Sequence, residues 1–255
     1  MTDIRVRAYL MGEPRVIVGG RLVTTTGGRS RDLLVYLITH RETAVHRDVL
    51  IDAFWPRARP AAGRNSLHVA LAGARRALRE VCAEPLIERC GQAYRIRRDA
   101  PVWTDADEFE RHCRSGLRER DPEAAAGHFE AAGLLLRGGF LADRPYAEWA
   151  APRRESLRAL AVQAQSRLVV LYRGRGEYGA AAALARRVLA DDPCNEDVHR
   201  SLMVCYARTG LRHLALLQYR QLAGLLWADL RVRPAPETTE LYERLRRPER
   251  MPQPA

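Results

Sequence analysis

Between residues 64 and 79 the chain sets one chemistry at helical spacing: Asn65, Val69, Ala72 and Arg76, flanked by Arg64, His68, Gly73, Arg75 and Arg79. An amide can pair bidentately with adenine, a branched aliphatic group can meet a thymine methyl, and a guanidinium can take guanine or a phosphate. Arginines to either side of such a stripe lie where a DNA backbone passes. No acid interrupts the stripe, and its small residues leave room for close approach. The other side of the same turn pattern is apolar, with Leu67, Leu71, Ala74, Leu78 and Val81 spaced to face a core. Arg64 to Val81 reads as a recognition helix.

Such a helix needs a preceding helix to carry it and, in the winged form, a following two-stranded ribbon. His46–Trp55 supplies the first, with Val49, Leu50, Ala53 and Phe54 as its apolar stripe. Pro56 and Pro60 are expected to stop it and form a linker. Leu86–Arg89, a turn at Cys90–Gln92, and Ala93–Arg98 supply the ribbon, with Gly91 suited to the tight turn. In that wing, Arg89, Gln92 and Arg95 could reach a minor groove or backbone, and Tyr94 suits core or contact equally.

Upstream, Ile4, Val6, Ala8 and Leu10 alternate on one face of a strand, and Arg15–Val18 and Arg21–Thr25 extend it into an antiparallel meander. A helix follows over Arg31–His40, with Leu33, Leu34, Leu37 and Ile38 as its stripe. Arg29, Ser30 and Arg31 stand at its N-terminus, where free N–H groups and the helix dipole could hold a phosphate. Capping explains Ser30 equally well.

After a break at Pro101 the pattern is helical throughout. Gly176, Ala181 and Tyr172 recur as Gly210, Ala215 and Tyr206, an offset of 34 residues. That is the tetratricopeptide (TPR) period, in which helical hairpins stack to bury one another's faces. Hairpins are expected over 149–190 and 195–230, an earlier one over 107–136, and a closing helix over 236–246. Tyr172, Tyr206, Tyr219 and Trp227 suit either interface anchors or the packing between helices.

Charge supports the same division. The net charge is +11, and residues 1–100 carry 18 Arg against 10 acids, whereas 24 Arg meet 21 acids in the remainder. A basic surplus concentrated on one segment is the electrostatic footprint of a nucleic-acid partner. The five cysteines are scattered without a C-x-x-C pair, so neither a disulfide framework nor a metal site follows. No nucleophile–base set, phosphate-binding G-x-x-x-x-G-K-[ST] loop or cofactor motif is recognisable, so no enzyme, metal or cofactor is expected. The start MTDIRVRAYL lacks a signal peptide's apolar core, and no apolar run approaches membrane-spanning length. A cytoplasmic, nucleoid-associated protein without a membrane partner is expected.

The chain as a whole resembles the SARP family of actinobacterial transcription activators, which join an OmpR-type winged helix to a TPR-like bacterial transcriptional activation domain. The resemblance runs from about Ile4 to Arg246 and rests on ordered stretches. These are GRSRDLLVYLITH (28–40), RDVLIDAFWP (47–56), ARRAL (74–78), GQAYRI (91–96) and GGFLAD (138–143). DDPCNEDVHRSLMVCYARTG (191–210), LALLQYRQL (214–222) and PAPETTELYERL (234–245) complete it. It implies a mainly α protein, with a winged helix-turn-helix (α+β) over 1–100 and an all-α TPR-like domain over 101–255. It also implies an activator of a specialised gene cluster that binds promoter repeats in double-stranded DNA and recruits RNA polymerase holoenzyme, with a homodimer on direct repeats as one assembly. Many relatives carry polar or basic residues where this chain has Ala72 and Gly73. That departure keeps a second reading in view, a TPR-type protein–protein adaptor with a degenerate DNA-binding platform. On the first reading, residues 1–100 are expected to bind DNA alone.

Overall fold

The computed structural model describes residues 5–25 and 27–247. Ile4, expected to open the first strand, lies outside the described residues. Strands β1 (Val6–Tyr9), β2 (Arg15–Val18) and β3 (Arg21–Leu22) form the expected meander. Helix α1 (Gly28–Thr39), the short strand β4 (Val45–His46), α2 (Arg47–Phe54) and α3 (Pro60–Arg79) follow. Strands β5 (Ile87–Cys90) and β6 (Ala93–Ile96) make the wing, with Gly91 at φ +62 in the turn between them. Strand β4 joins that wing as a third strand, pairing Val45 with Tyr94 and His46 with Ala93.

The Pro101 break conceals a strand. β7 (Val102–Thr104) pairs parallel with β1 and completes a four-stranded sheet in the order β3-β2-β1-β7. A three-residue strand carries too short a pattern to be read from sequence. Directly after it, Asp105 is buried and accepts hydrogen bonds from the N–H groups of Leu10 (2.5 Å) and Met11 (3.1 Å) at the end of β1. Burial pushes the Asp105 carboxyl above its usual range, and those two donors pull the other way.

The remaining elements are α4 (Asp105–Arg118), α5 (Pro122–Leu135), a 3₁₀ turn at Glu148–Ala150, α6 (Ala151–Gly174), α7 (Tyr178–Asp191), α8 (Glu196–Arg208), α9 (Arg212–Leu230) and α10 (Pro236–Arg246). The repeat has a concrete form. Gly176 (φ +79) and Gly210 (φ +78) each end a helix in the left-handed region. Glu177 N–H to Tyr172 O and Leu211 N–H to Tyr206 O are the equivalent closing bonds, the Schellman pattern at both sites. Ala181 and Ala215 are both fully buried where the next helix packs.

In space the chain divides into two compact units, neither a continuous stretch. One comprises residues 1–111 with 134–157; the other comprises 112–133 with 158–255. The first is built on Leu10, Leu33, Leu34, Leu37, Ile38, Leu50, Leu67 and Leu71, all fully buried. The second packs α7 against α8 through Ala181, Ala185, Val188, Val198 and Leu202, and closes with α10, where Tyr242 stacks on Tyr219 at 4.1 Å. A single cut at Pro101 does not separate these units, because residues 134–157 pack with the winged helix.

Candidate nucleic-acid interface

Helix α3 is one turn longer at its start than the sequence pattern suggests. Pro60 is the first helical residue rather than part of a linker. At that position proline gives up an N–H that has no partner in any case, and its fixed φ suits a helix. Leu67, Leu71, Ala74 and Leu78 are buried as expected; Val81 lies beyond the helix end and is half-buried.

Arg64, Asn65, His68, Val69, Ala72, Arg76 and Arg79 are all exposed on the face away from that core. Val69 is 66% exposed, a branched aliphatic group standing in the middle of a cationic face. Burying it against a flat apolar partner such as a thymine methyl would recover free energy that solvent exposure forfeits. Ala72 leaves a low point beside it. Between α3 and the wing runs a groove lined by His68, Ala72, Arg76, Arg79 and Arg89, floored by Leu71 and Tyr94. Tyr94 is buried and belongs to the core.

Five of the candidate DNA contacts on α3, α1 and the wing are engaged elsewhere. Gly73 is turned toward α1, and a Cβ there would overlap Ser30 Oγ. Ser30 in turn is buried at 9% exposure and does not cap α1, whose N-cap is Gly27 without a side-chain bond. Gly73 and Ser30 form a packing pair, which requires both to be small. Arg75 donates to Ile87 O (3.3 Å) and lies over the Tyr94 ring at 5.9 Å, so it fastens the wing to α3. Arg31 pairs with Asp143 at 2.5 Å, and Arg95 with Glu88 at 3.0 Å. Each guanidinium is held against a carboxylate.

In the wing, Arg89 and Gln92 are exposed, and Arg89 Nε donates to Gly91 O (2.8 Å) across the turn. Arg29 is exposed at the first turn of α1. The sequence reading missed Arg59, exposed immediately before Pro60 and one turn ahead of Arg64. It also missed Gly63, where a Cβ would stand 2.7 Å from Ile51 Cγ2, so α2 and α3 cross at a glycine. For Gly63 the signal was present: it stands four residues ahead of the buried Leu67, on the packing side of the helix.

On the helical side, Tyr172 and Tyr206 pack against the α7–α8 core, whereas Trp227 is exposed with Arg231 5.8 Å from its ring centroid. Among the described residues no helix is long and apolar enough to cross a membrane.

Residues 104–246 match the family described as the bacterial transcriptional activator domain. The chain is 26% identical over 234 residues to the transcriptional regulatory protein MoaR1 of Mycobacterium tuberculosis, covering 86% of this chain and 72% of that protein. It is 27% identical over 259 residues to the regulatory protein AfsR of Streptomyces griseus, covering 98% of this chain and 26% of AfsR. The fold is similar to that of Mycobacterium tuberculosis EmbR in complex with a low affinity phosphopeptide. That likeness has a TM-score of 0.80 at 23% identity, over 95% of this chain and 65% of the other.

Proposed function

The chain belongs to the bacterial transcriptional activator domain family and is a transcriptional regulator, and we propose that it acts by holding double-stranded promoter DNA on the exposed face of α3. One observation carries the reading. Arg64, Asn65, His68, Val69, Ala72, Arg76 and Arg79 share a solvent-exposed face with no acid on it, at the position in a winged helix that faces the major groove. On this reading Asn65 and Val69 read an adenine and a thymine methyl, and Arg76 reads a guanine or a phosphate. Arg64, Arg79, Arg29 and the wing residues Arg89 and Gln92 lie along the backbone. Arg31, Arg75 and Arg95 are assigned to holding the reading elements in place.

The second unit is built of stacked helical hairpins, which suit a protein partner. RNA polymerase holoenzyme recruited beside the promoter is the partner this reading assigns to it, and adjacent copies of the chain on direct repeats are the arrangement proposed on DNA.

The test is duplex binding by the intact chain across a salt series, with competitor DNA present. Affinity is expected to fall steeply, with log K dropping about 0.9 per log unit of salt for each phosphate neutralised. A salt-independent or absent interaction would leave the adaptor reading in its place.

A further inference from the structure

Residues 138–150 lie within the stretch that matches the activator family, yet they pack in the unit that contains α3. They are fixed there in three ways. Along the backbone, Leu141 N–H donates to Leu10 O and Ala142 N–H to Gly12 O, both at 2.9 Å. Leu141 is buried at φ +53, a left-handed conformation that a leucine keeps only where its surroundings hold it. By aromatic packing, Trp149 sits 5.3 Å from the Tyr36 ring and 5.6 Å from the Phe54 ring, against α1 and α2. By charge, Asp143 meets Arg31 at 2.5 Å, and Arg144 Nε donates to Asp32 Oδ1 at 3.1 Å.

Three consecutive residues of α1 therefore divide two tasks between them. Ser30 is the surface against which α3 seats at Gly73, while Arg31 and Asp32 hold the segment carrying Asp143 and Arg144. The first turn of α1 lacks local support: its N-cap makes no side-chain bond and it contains no acid to offset the dipole. The ion pairs from residues 143 and 144 tie this turn to a segment outside the helix. Arg154 holds the segment from behind, donating to the carbonyls of Phe140, Arg144 and Pro145.

We propose that Asp143 and Arg144 are positioning residues for DNA reading. They hold the start of α1, and through the Ser30–Gly73 contact they set the seat of the reading helix. This rests on α3 being the DNA-reading helix. Base contacts tolerate little displacement, so a loosened seat lowers discrimination before it lowers backbone attraction.

The experiment uses full-length protein and two duplexes, one enriched from a random-sequence pool by the wild-type chain and one a shuffle of the same composition. Arg144→Ala and Asp32→Asn are each expected to lower the preference for the enriched duplex about tenfold, the scale of one lost base contact. Asp32→Asn leaves binding to the shuffled duplex within about twofold, since no phosphate contact changes. Arg144→Lys restores most of the preference. If Asp32→Asn instead strengthens binding to both duplexes, the released Arg144 touches DNA directly and the positioning role is overturned. An unchanged preference with a lowered melting temperature would make the segment a structural support only, which also overturns it. A wild-type chain that binds duplex but enriches no sequence overturns the positioning role and leaves DNA binding standing. A chain that binds no duplex at all removes the reading of α3 itself.

Discussion

Gly73 of α3 and Ser30 of α1 face each other so closely that a Cβ on the glycine would overlap the serine hydroxyl. Gly73 is thus the point where α3 rests on α1. In an exposed helix interior, replacing glycine by alanine stabilises by about 0.8–1.0 kcal/mol. At Gly73 the added methyl has no room, and overpacking of this kind costs about 1–3 kcal/mol. Gly73→Ala is therefore expected to lower the melting temperature. Adding Ser30→Gly should recover much of the loss, and a gain in stability from Gly73→Ala alone would contradict the contact.

Specificity and affinity are expected to separate on α3. Asn65→Ala should cost about 1–3 kcal/mol on the best duplex and relax preference at a single base position. Arg79→Ala should weaken all duplexes alike and reduce the salt slope by about one unit. Titrations of a set of single-base variants at several salt concentrations measure both. Uniform effects from both substitutions would point to recognition through DNA shape instead.

Arg75 and Arg76 are adjacent arginines with different tasks. Arg75→Gln loses the bond to Ile87 O and the contact with Tyr94, and is expected to cost about 1 kcal/mol of stability. Arg76 is exposed, so Arg76→Gln should leave the melting temperature nearly unchanged and weaken DNA binding. Thermal melts and duplex titrations on the same two proteins check the contrast.

The helical unit is expected to lose stability in mild acid. His199 is buried, and burial holds its imidazole below the ordinary histidine range. Its Nε2 lies 2.9 Å from Pro193 O, an atom that can only accept, so the ring proton sits there. Nδ1 then accepts from Gln218 Nε2 at 2.7 Å. A second proton would face that amide donor, and the Glu196 and Asp192 carboxylates only partly offset the cost. The unfolded chain protonates first, near pH 6.5, so the stabilisation is complete above that value and is lost progressively as pH falls from there through the lower value of the folded imidazole. Melting temperatures between pH 7.5 and 5 should show the loss, and His199→Gln should flatten it.

Much of this protein is determined by local pattern. The apolar spacing of Leu67, Leu71, Ala74 and Leu78 is enough to orient α3, because a helix with one apolar stripe has one way to bury it. Gly91 marks the wing turn, and Gly176 and Gly210 mark the repeat, because left-handed backbone there favours glycine. The exposed Asn65, Val69, Ala72 and Arg76 follow as the complement of the buried face.

The tertiary structure decided which of the flanking residues are available. A glycine at position 73 has the same spacing whether it faces a DNA groove or another helix, and only the crossing of α1 settles the matter. Arg31, Arg75 and Arg95 are indistinguishable in sequence from Arg29, Arg76 and Arg89, since charge is local but its partner is not. Asp143 lies 112 residues from Arg31, and no periodicity joins them. The same holds for β7 and for residues 138–150, which have too little pattern to announce a partner. Long-range packing placed them with the winged helix, and so decided where the first unit ends.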